Sequence, residues 1–143
     1  MNLVVDASVA AKWLFLEPDT GKARAILDSA ERGELELLAP EILLAEIANS
    51  LWKRTERSDL DRASALGLFD GFQKVEFKYC KVQELIGSAM SIAFRHHHPV
   101  YDCLYVVLAR REDCDLVTAD ERLYRAFEHD CPWVRLLRNF SWD

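Results

Sequence analysis

An α/β fold is predicted, a three-layer α/β/α stack around a central, mainly parallel sheet of about five strands. Three observations predict it. Five short strand-like runs, the first of them β-branched, alternate with segments of helical period, and such long connections imply right-handed crossovers between parallel strands. Two of the runs end in an Asp that opens the next helix, which puts acids at the carboxyl ends of strands. The 143 residues are 50% hydrophobic and 29% charged, enough apolar material for a core, which excludes a disordered or collagen-like chain. We read residues 1–143 as a single domain.

The elements follow in order. Leu3, Val4 and Val5 form a first strand that stops at Asp6, and residues 8–16 read as a helix with Val9, Trp13 and Leu16 on one stripe. Thr20 is expected to N-cap a helix whose apolar face is Ala23, Ile26, Leu27 and Ala30, with Gly33 placed as its C′ residue. Residues 35–39 read as a strand closed by Pro40, and residues 41–57 as a long, strongly apolar helix. Asp59 should open the next, which carries Ala63, Leu66, Leu68 and Phe69 and weakens at Gly71. Residues 75–79 alternate Val75, Phe77 and Tyr79 with Glu76 and Lys78 as a strand does. A helix over residues 82–97, a break at Pro99, a helix over 101–112, a strand over 115–118, a short helix over 121–128 and a strand over 133–136 complete the pattern.

No stretch approaches the ~20 uncharged residues of a membrane span, and the start lacks the apolar core of a signal peptide, so a cytoplasmic protein is expected. Cys80, Cys103, Cys114 and Cys131 form no C-x-x-C pair and are expected to be buried thiols. The formal net charge is -6, which argues at first against a nucleic-acid partner.

The acids carry the chemistry. In an open α/β sheet the ligand crevice lies beyond the carboxyl ends of the strands, where Asp6 and Asp120 stand. Each also suits an ordinary helix N-cap. Glu46 is the sole charge in the run 42–52, and a carboxylate on an apolar face needs a cation or hydrogen bonds to compensate its desolvation. Asn49, at i+3, shares its face. Asp102 opens another apolar helix, where the helix dipole alone would favour an acid. Taken as a set, the four acids converge on one crevice, and mutually repelling hard oxygens select Mg²⁺ or Mn²⁺. Such a site suits phosphoryl transfer without a side-chain nucleophile. Ser8 and Thr118 are the supporting hydroxyls, in this site or simply in local turns.

At these residues the chain resembles a PIN domain, most closely the VapC toxins of prokaryotic type II toxin–antitoxin systems. The resemblance rests on Val4-Val5-Asp6-Ala7-Ser8, Pro40 through Glu46 to Asn49, Val100-Tyr101-Asp102 with Tyr105 and Leu108-Ala109, and Leu116-Val117-Thr118-Ala119-Asp120 with Leu123, in that order. It implies a PIN-like fold and a Mg²⁺- or Mn²⁺-dependent endoribonuclease, with Asp6, Glu46, Asp102 and Asp120 as catalytic and metal-binding acids. It implies too a homodimer and an antitoxin partner seated in an apolar groove, for which Trp13, Phe15 and Trp52 are candidate linings.

Two other folds with acids at this edge fit poorly. A haloacid-dehalogenase-type phosphatase needs a second Asp where Ser8 stands, and a response-regulator receiver needs a late Lys, whereas none follows Lys81. A PIN-type RNA-processing nuclease outside a toxin pair, and a PIN module that binds RNA or protein without cutting, stay open. The run Arg95-His96-His97-His98 reads as a solvated helix end, with RNA-phosphate contact and a metal site as alternatives, since adjacent helical positions point about 100° apart. Arg95, Arg110 and Arg122 are the candidate RNA contacts.

Overall fold

The computed structural model describes residues 1–142. Strands β1 (Asn2–Val5), β2 (Glu36–Pro40), β3 (Phe77–Cys80), β4 (Asp115–Thr118) and β5 (Val134–Leu136) form a five-stranded sheet in the order β3-β2-β1-β4-β5. Every pairing is parallel. The chain steps outward from β1 to β3, then crosses back to lay β4 on the free edge of β1. Because crossovers are right-handed, this reversal puts the helices of the two halves on opposite faces. It also opens a switch point between β1 and β4, where the register pairs Val5 with Val117 and sets Asp6 level with Thr118.

Seven helices cover the sheet: α1 (Ala7–Ala10), α2 (Thr20–Glu31), α3 (Ile42–Glu56), α4 (Arg62–Gln73), α5 (Val82–His96), α6 (Val100–Arg111) and α7 (Glu121–Phe127). α6 is buried without a break from Cys103 to Ala109, packed on β1, β2 and β4 with α5 against its outer side. On α3 the buried stripe is Leu43, Ile47 and Leu51, one turn apart. Among the described residues no helix is long and apolar enough to cross a membrane. The cysteines are free thiols, three of them buried, while Cys114 is only half-buried.

Several expected boundaries are corrected. The helix expected over 8–16 stops at Ala10 and tightens into a 3-10 turn, Ala11–Trp13. That turn aims the Trp13 indole inward, where Nε1–H donates to the Ala23 carbonyl at 2.8 Å and the ring packs on Phe72 and Phe77. Leu16, expected on the buried stripe, is therefore 93% exposed. Thr20 does not cap α2: Asp19 holds the cap position in a left-handed conformation, and the Thr20 hydroxyl accepts from the Glu17 N–H instead. α4 is capped by Asp61, whose side chain accepts from the Ser64 N–H, and not by Asp59. Its buried residues are Ala65 and Phe72, while Ala63 and Leu66 face water. β3 begins two positions later than expected, at Phe77.

Gly33 ends α2 as expected, at φ +76, so that Glu34 N–H can return to the Ser29 carbonyl. Gly33→Ala should therefore lose about 1 kcal/mol in urea unfolding, from backbone strain alone, since a Cβ would meet nothing within 4 Å. Gly67→Ala, in the interior of α4 and equally uncrowded, should gain about 0.5–1 kcal/mol.

Candidate active site

Asp6 leaves β1 in an extended conformation and N-caps α1. Its Oδ1 accepts from the Ser8 hydroxyl at 2.6 Å and the Val9 N–H at 3.2 Å, and its Oδ2 from the Thr118 hydroxyl at 2.5 Å. The two hydroxyls are in turn oriented across the seam: Ala119 N–H donates to Ser8 Oγ at 2.8 Å and Asp120 N–H to Thr118 Oγ1 at 3.0 Å. Three donors would ordinarily hold an acid low. Burial overrides them, and with the nearby charge of Asp102 it pushes the Asp6 carboxyl up to about 7.

Glu46 stands at the edge of the buried stripe of α3, half-buried, with Oε1 accepting from the Tyr105 hydroxyl at 2.5 Å. Burial raises its pKa as well, opposed by the Tyr105 bond and reinforced by Asp102. Asp102, in the first turn of α6, is half-buried and pairs with His98, Nε2 to Oδ2 at 2.7 Å. Its charge thus acts on both Asp6 and Glu46, which fixes the three acids as one electrostatic group. Asp120 is the N-cap of α7, its Oδ1 accepting from the Arg122 and Leu123 N–H groups at 2.9 and 3.4 Å. It joins the group through its backbone bond to Thr118.

Among the described residues no three His, Cys, Asp or Glu side chains stand close enough to form a finished cage for a metal ion. The donor chemistry nonetheless fits a hard divalent cation. Outside Asp6 the acids each keep one carboxylate oxygen without a hydrogen-bond partner among the described residues: Glu46 Oε2, Asp102 Oδ1 and Asp120 Oδ2. Burial first and the charge of Asp102 second raise Asp6 and Glu46, so a bound cation would favour their ionised forms.

Other expected residues fall elsewhere. Asn49 lies on the exposed side of α3 and makes no hydrogen bond to Glu46. Arg95, Arg110 and Arg122 are exposed; Arg122 adjoins the acidic end, whereas Arg110 stands about 12 Å along α6 from Asp102 at 1.5 Å per residue. The expected groove is not built as foreseen. Trp13 belongs to the core, and the face of Phe15 is covered by the Arg54 guanidinium at 3.6 Å. Trp52, 55% exposed, lines an apolar groove between α3 and α4 with Leu51, Ala65, Leu66 and Phe69.

The solvated-end reading of the histidine run is also overturned. Only His97 is exposed, in a left-handed conformation at φ 53, so that His96 and His98 both turn inward onto Phe127, at 4.5 and 5.7 Å between ring centroids. The supporting roles of Tyr105 and His98 were missed. A hydroxyl amid the apolar run 103–109 was the available signal for Tyr105; for His98 there was none, because Pro99 interrupts the helical spacing to Asp102.

The sequence model of the PIN domain matches residues 3–128. The chain belongs to the PIN-domain family. Its relatives include Ribonuclease VapC3 of Pyrobaculum aerophilum, 34% identical over 131 residues that cover 89% of this chain and 95% of that one. VapC ribonuclease Mb0985 of Mycobacterium bovis is 32% identical over 130 residues, covering 91% and 94%. Among solved structures, PAE2754 from Pyrobaculum aerophilum superimposes with a TM-score of 0.70 at 21% identity, over 96% of this PIN domain and 93% of its own chain. The VapBC2 structure from Rickettsia felis gives 0.63 at 15% identity, over 95% and 97%.

Burial of Asp6 gives a stability prediction. An acid whose folded pKa lies above its unfolded value destabilises the fold once ionised; the loss begins above pH 4 and is complete above pH 7. In EDTA the protein should therefore lose up to about 4 kcal/mol from this group between pH 4 and pH 8. Urea unfolding at both pH values should show that loss, and Asp6→Asn should remove most of it.

Proposed function

We propose that this PIN-domain chain is a divalent-metal-dependent endoribonuclease, the toxin of a toxin–antitoxin pair, with Asp6, Glu46, Asp102 and Asp120 as its acidic site and Mg²⁺ or Mn²⁺ as its cofactor. The observation that carries this reading is the group of acids held at the β1–β4 switch point, in a chain whose relatives at 32–34% identity are named ribonucleases. When bound, a divalent ion supplies positive charge to the scissile phosphodiester and to the water that attacks it.

The chain's own residues do the positioning. Ser8 and Thr118 hold Asp6 from both sides, each donating its hydroxyl proton to the carboxylate. In the proposed reaction water is the attacking group. Tyr105 fixes the Glu46 carboxylate, and the helix N-terminus of α7 fixes Asp120. Arg122, beside Asp120, is the best placed of the candidate phosphate contacts; Arg95 lies in the last turn of α5, ahead of the elbow that leads to Asp102, and Arg110 at the far end of α6.

The net charge of -6 does not oppose an RNA substrate, because four of the acids are assigned to the site and two divalent ions would cancel them. A cognate antitoxin is one proposed protein partner, in keeping with the VapBC2 structure and with that of FitAB bound to a DNA fragment; a second copy of the chain is the other. Of the three aromatics considered for antitoxin contact, Trp52 is the one left accessible.

Cleavage mapping on total cellular RNA tests the reading. Wild-type protein in Mg²⁺ should cut at discrete sites, and Asp6→Asn, which keeps size and loses one charge, should cut at least about 100-fold more slowly. Undiminished cleavage by Asp6→Asn would falsify the assignment. Tyr105→Phe should slow cutting about tenfold with its fold intact by circular dichroism. Millimolar Mg²⁺ should also raise the melting temperature of the wild-type protein, by about 2.7 kcal/mol of stabilisation at a hundredfold excess over Kd.

A further inference from the structure

Asp102 differs from the other acids in what holds it. It occupies the third position of α6, where an acid ordinarily turns back to the N–H of the cap residue. The cap residue here is Pro99, which has no N–H. The one hydrogen bond the Asp102 side chain makes among the described residues comes from His98, at 2.7 Å. A carboxylate oxygen only accepts, so His98 Nε2 carries the proton.

His98 is itself held through both its ring and its backbone. Its side chain is 8% exposed, its ring stands edge-on to the fully buried Phe127 at 76°, its N–H returns to the Ala93 carbonyl at 3.2 Å and its own carbonyl accepts from the Cys103 thiol. His96 packs on Phe127 as well, at 4.5 Å between ring centroids, and its Nδ1 meets the Ala126 carbonyl at 3.1 Å. Phe127 closes the helix that Asp120 opens. The elbow between α5 and α6 is thus locked to α7, and the acid it carries is locked to the elbow.

We propose that His98 is a positioning residue for the acidic site: by donating to Oδ2 from a clamped ring, it fixes the Asp102 carboxylate and leaves Oδ1 toward a divalent cation. The inference rests on the proposed role of Asp102 as a metal ligand. His98 touches neither substrate nor cation and acts through the carboxylate, as hydrogen-bonded partners of ligands generally do.

The test is a Mg²⁺ titration of the full chain, followed by thermal midpoint and by calorimetry, with RNA cleavage measured in parallel. His98→Leu and His98→Asn, which delete or shorten the donor, should each weaken Mg²⁺ affinity about 10–100-fold. His98→Gln, whose amide reaches the position of Nε2, should stay within about threefold of wild type, and cleavage by the two weak variants should recover at high Mg²⁺. Wild-type Mg²⁺ affinity in both His98→Leu and His98→Asn overturns the proposal, and so does a His98→Gln variant as weak as His98→Leu, which would leave only ring packing. Should His98→Leu fail to fold, the comparison of His98→Asn with His98→Gln decides. Asp6→Asn is the separate control: if it still cleaves RNA, the acidic-site reading falls whatever His98 does, whereas an inactive Asp6→Asn beside unshifted His98 variants sinks the positioning role alone.

Discussion

The hydrogen bond from Thr118 to Asp6 exists because β1 and β4 are parallel neighbours in one register, and the rest of the site is arranged around it. A carboxylate 5% exposed has lost nearly all of its hydration and must be repaid in hydrogen bonds. Those bonds come from Ser8 on its own chain segment and Thr118 across the seam, and the latter is available only after the chain has crossed back from β3 to β4. Completion of the sheet and completion of the acidic centre are the same event. A β4 slipped by one residue would turn Thr118 to the other face and leave Asp6 without one of its three donors.

The donors do not make the arrangement electrostatically comfortable. Asp6 and Glu46 both sit above their usual range because burial and the charge of Asp102 outweigh the hydroxyls that favour ionisation. Such local cost is expected where a fold keeps charges together for use and draws its stability from elsewhere. Here it comes from the apolar seam just below, where Val4, Val5, Leu116 and Val117 are fully buried, and from the unbroken buried length of α6.

Much of this was legible in the residues and some was not, for definite reasons. The strands show as short apolar or alternating runs between helical segments, and β4 coincides with the expected run 115–118. The site acids were visible as carboxylates at strand ends or within an apolar helix, since charge in such places always demands a reason. Periodicity records spacing and not where a helix stops, so the first helix ends at Ala10, short of the expected Leu16. Trp13 is drawn inward by Ala23, a contact supplied by the next helix, and Leu16 is carried out to water. Asp59 and Asp61 are equally good caps by residue type; the left-handed Ser58 ends the previous helix with a turn that leaves Asp61 to cap the next. The histidine run failed in the same way. A left-handed His97 reverses the sidedness that a continuous helix would impose, and no local pattern foretells it.

What residue spacing cannot reveal is the separate way in which each acid is held. Hydroxyls hold Asp6, a phenol holds Glu46, an imidazole holds Asp102 and backbone N–H groups hold Asp120. Each donor comes from a different element, so no single helix or loop can drift without disturbing an acid. Under the proposed function this rigidity bears on the substrate as well as on the cation. Without a divalent ion the acids repel any phosphate that approaches, and the exposed arginines at the helix ends are too few to overcome that repulsion. A divalent ion offsets two of the four acid charges and a second offsets the rest, so the repulsion at the switch point falls as metal binds. Affinity for RNA is then set by metal occupancy, and occupancy by how firmly four unlike donors keep their carboxylates in place.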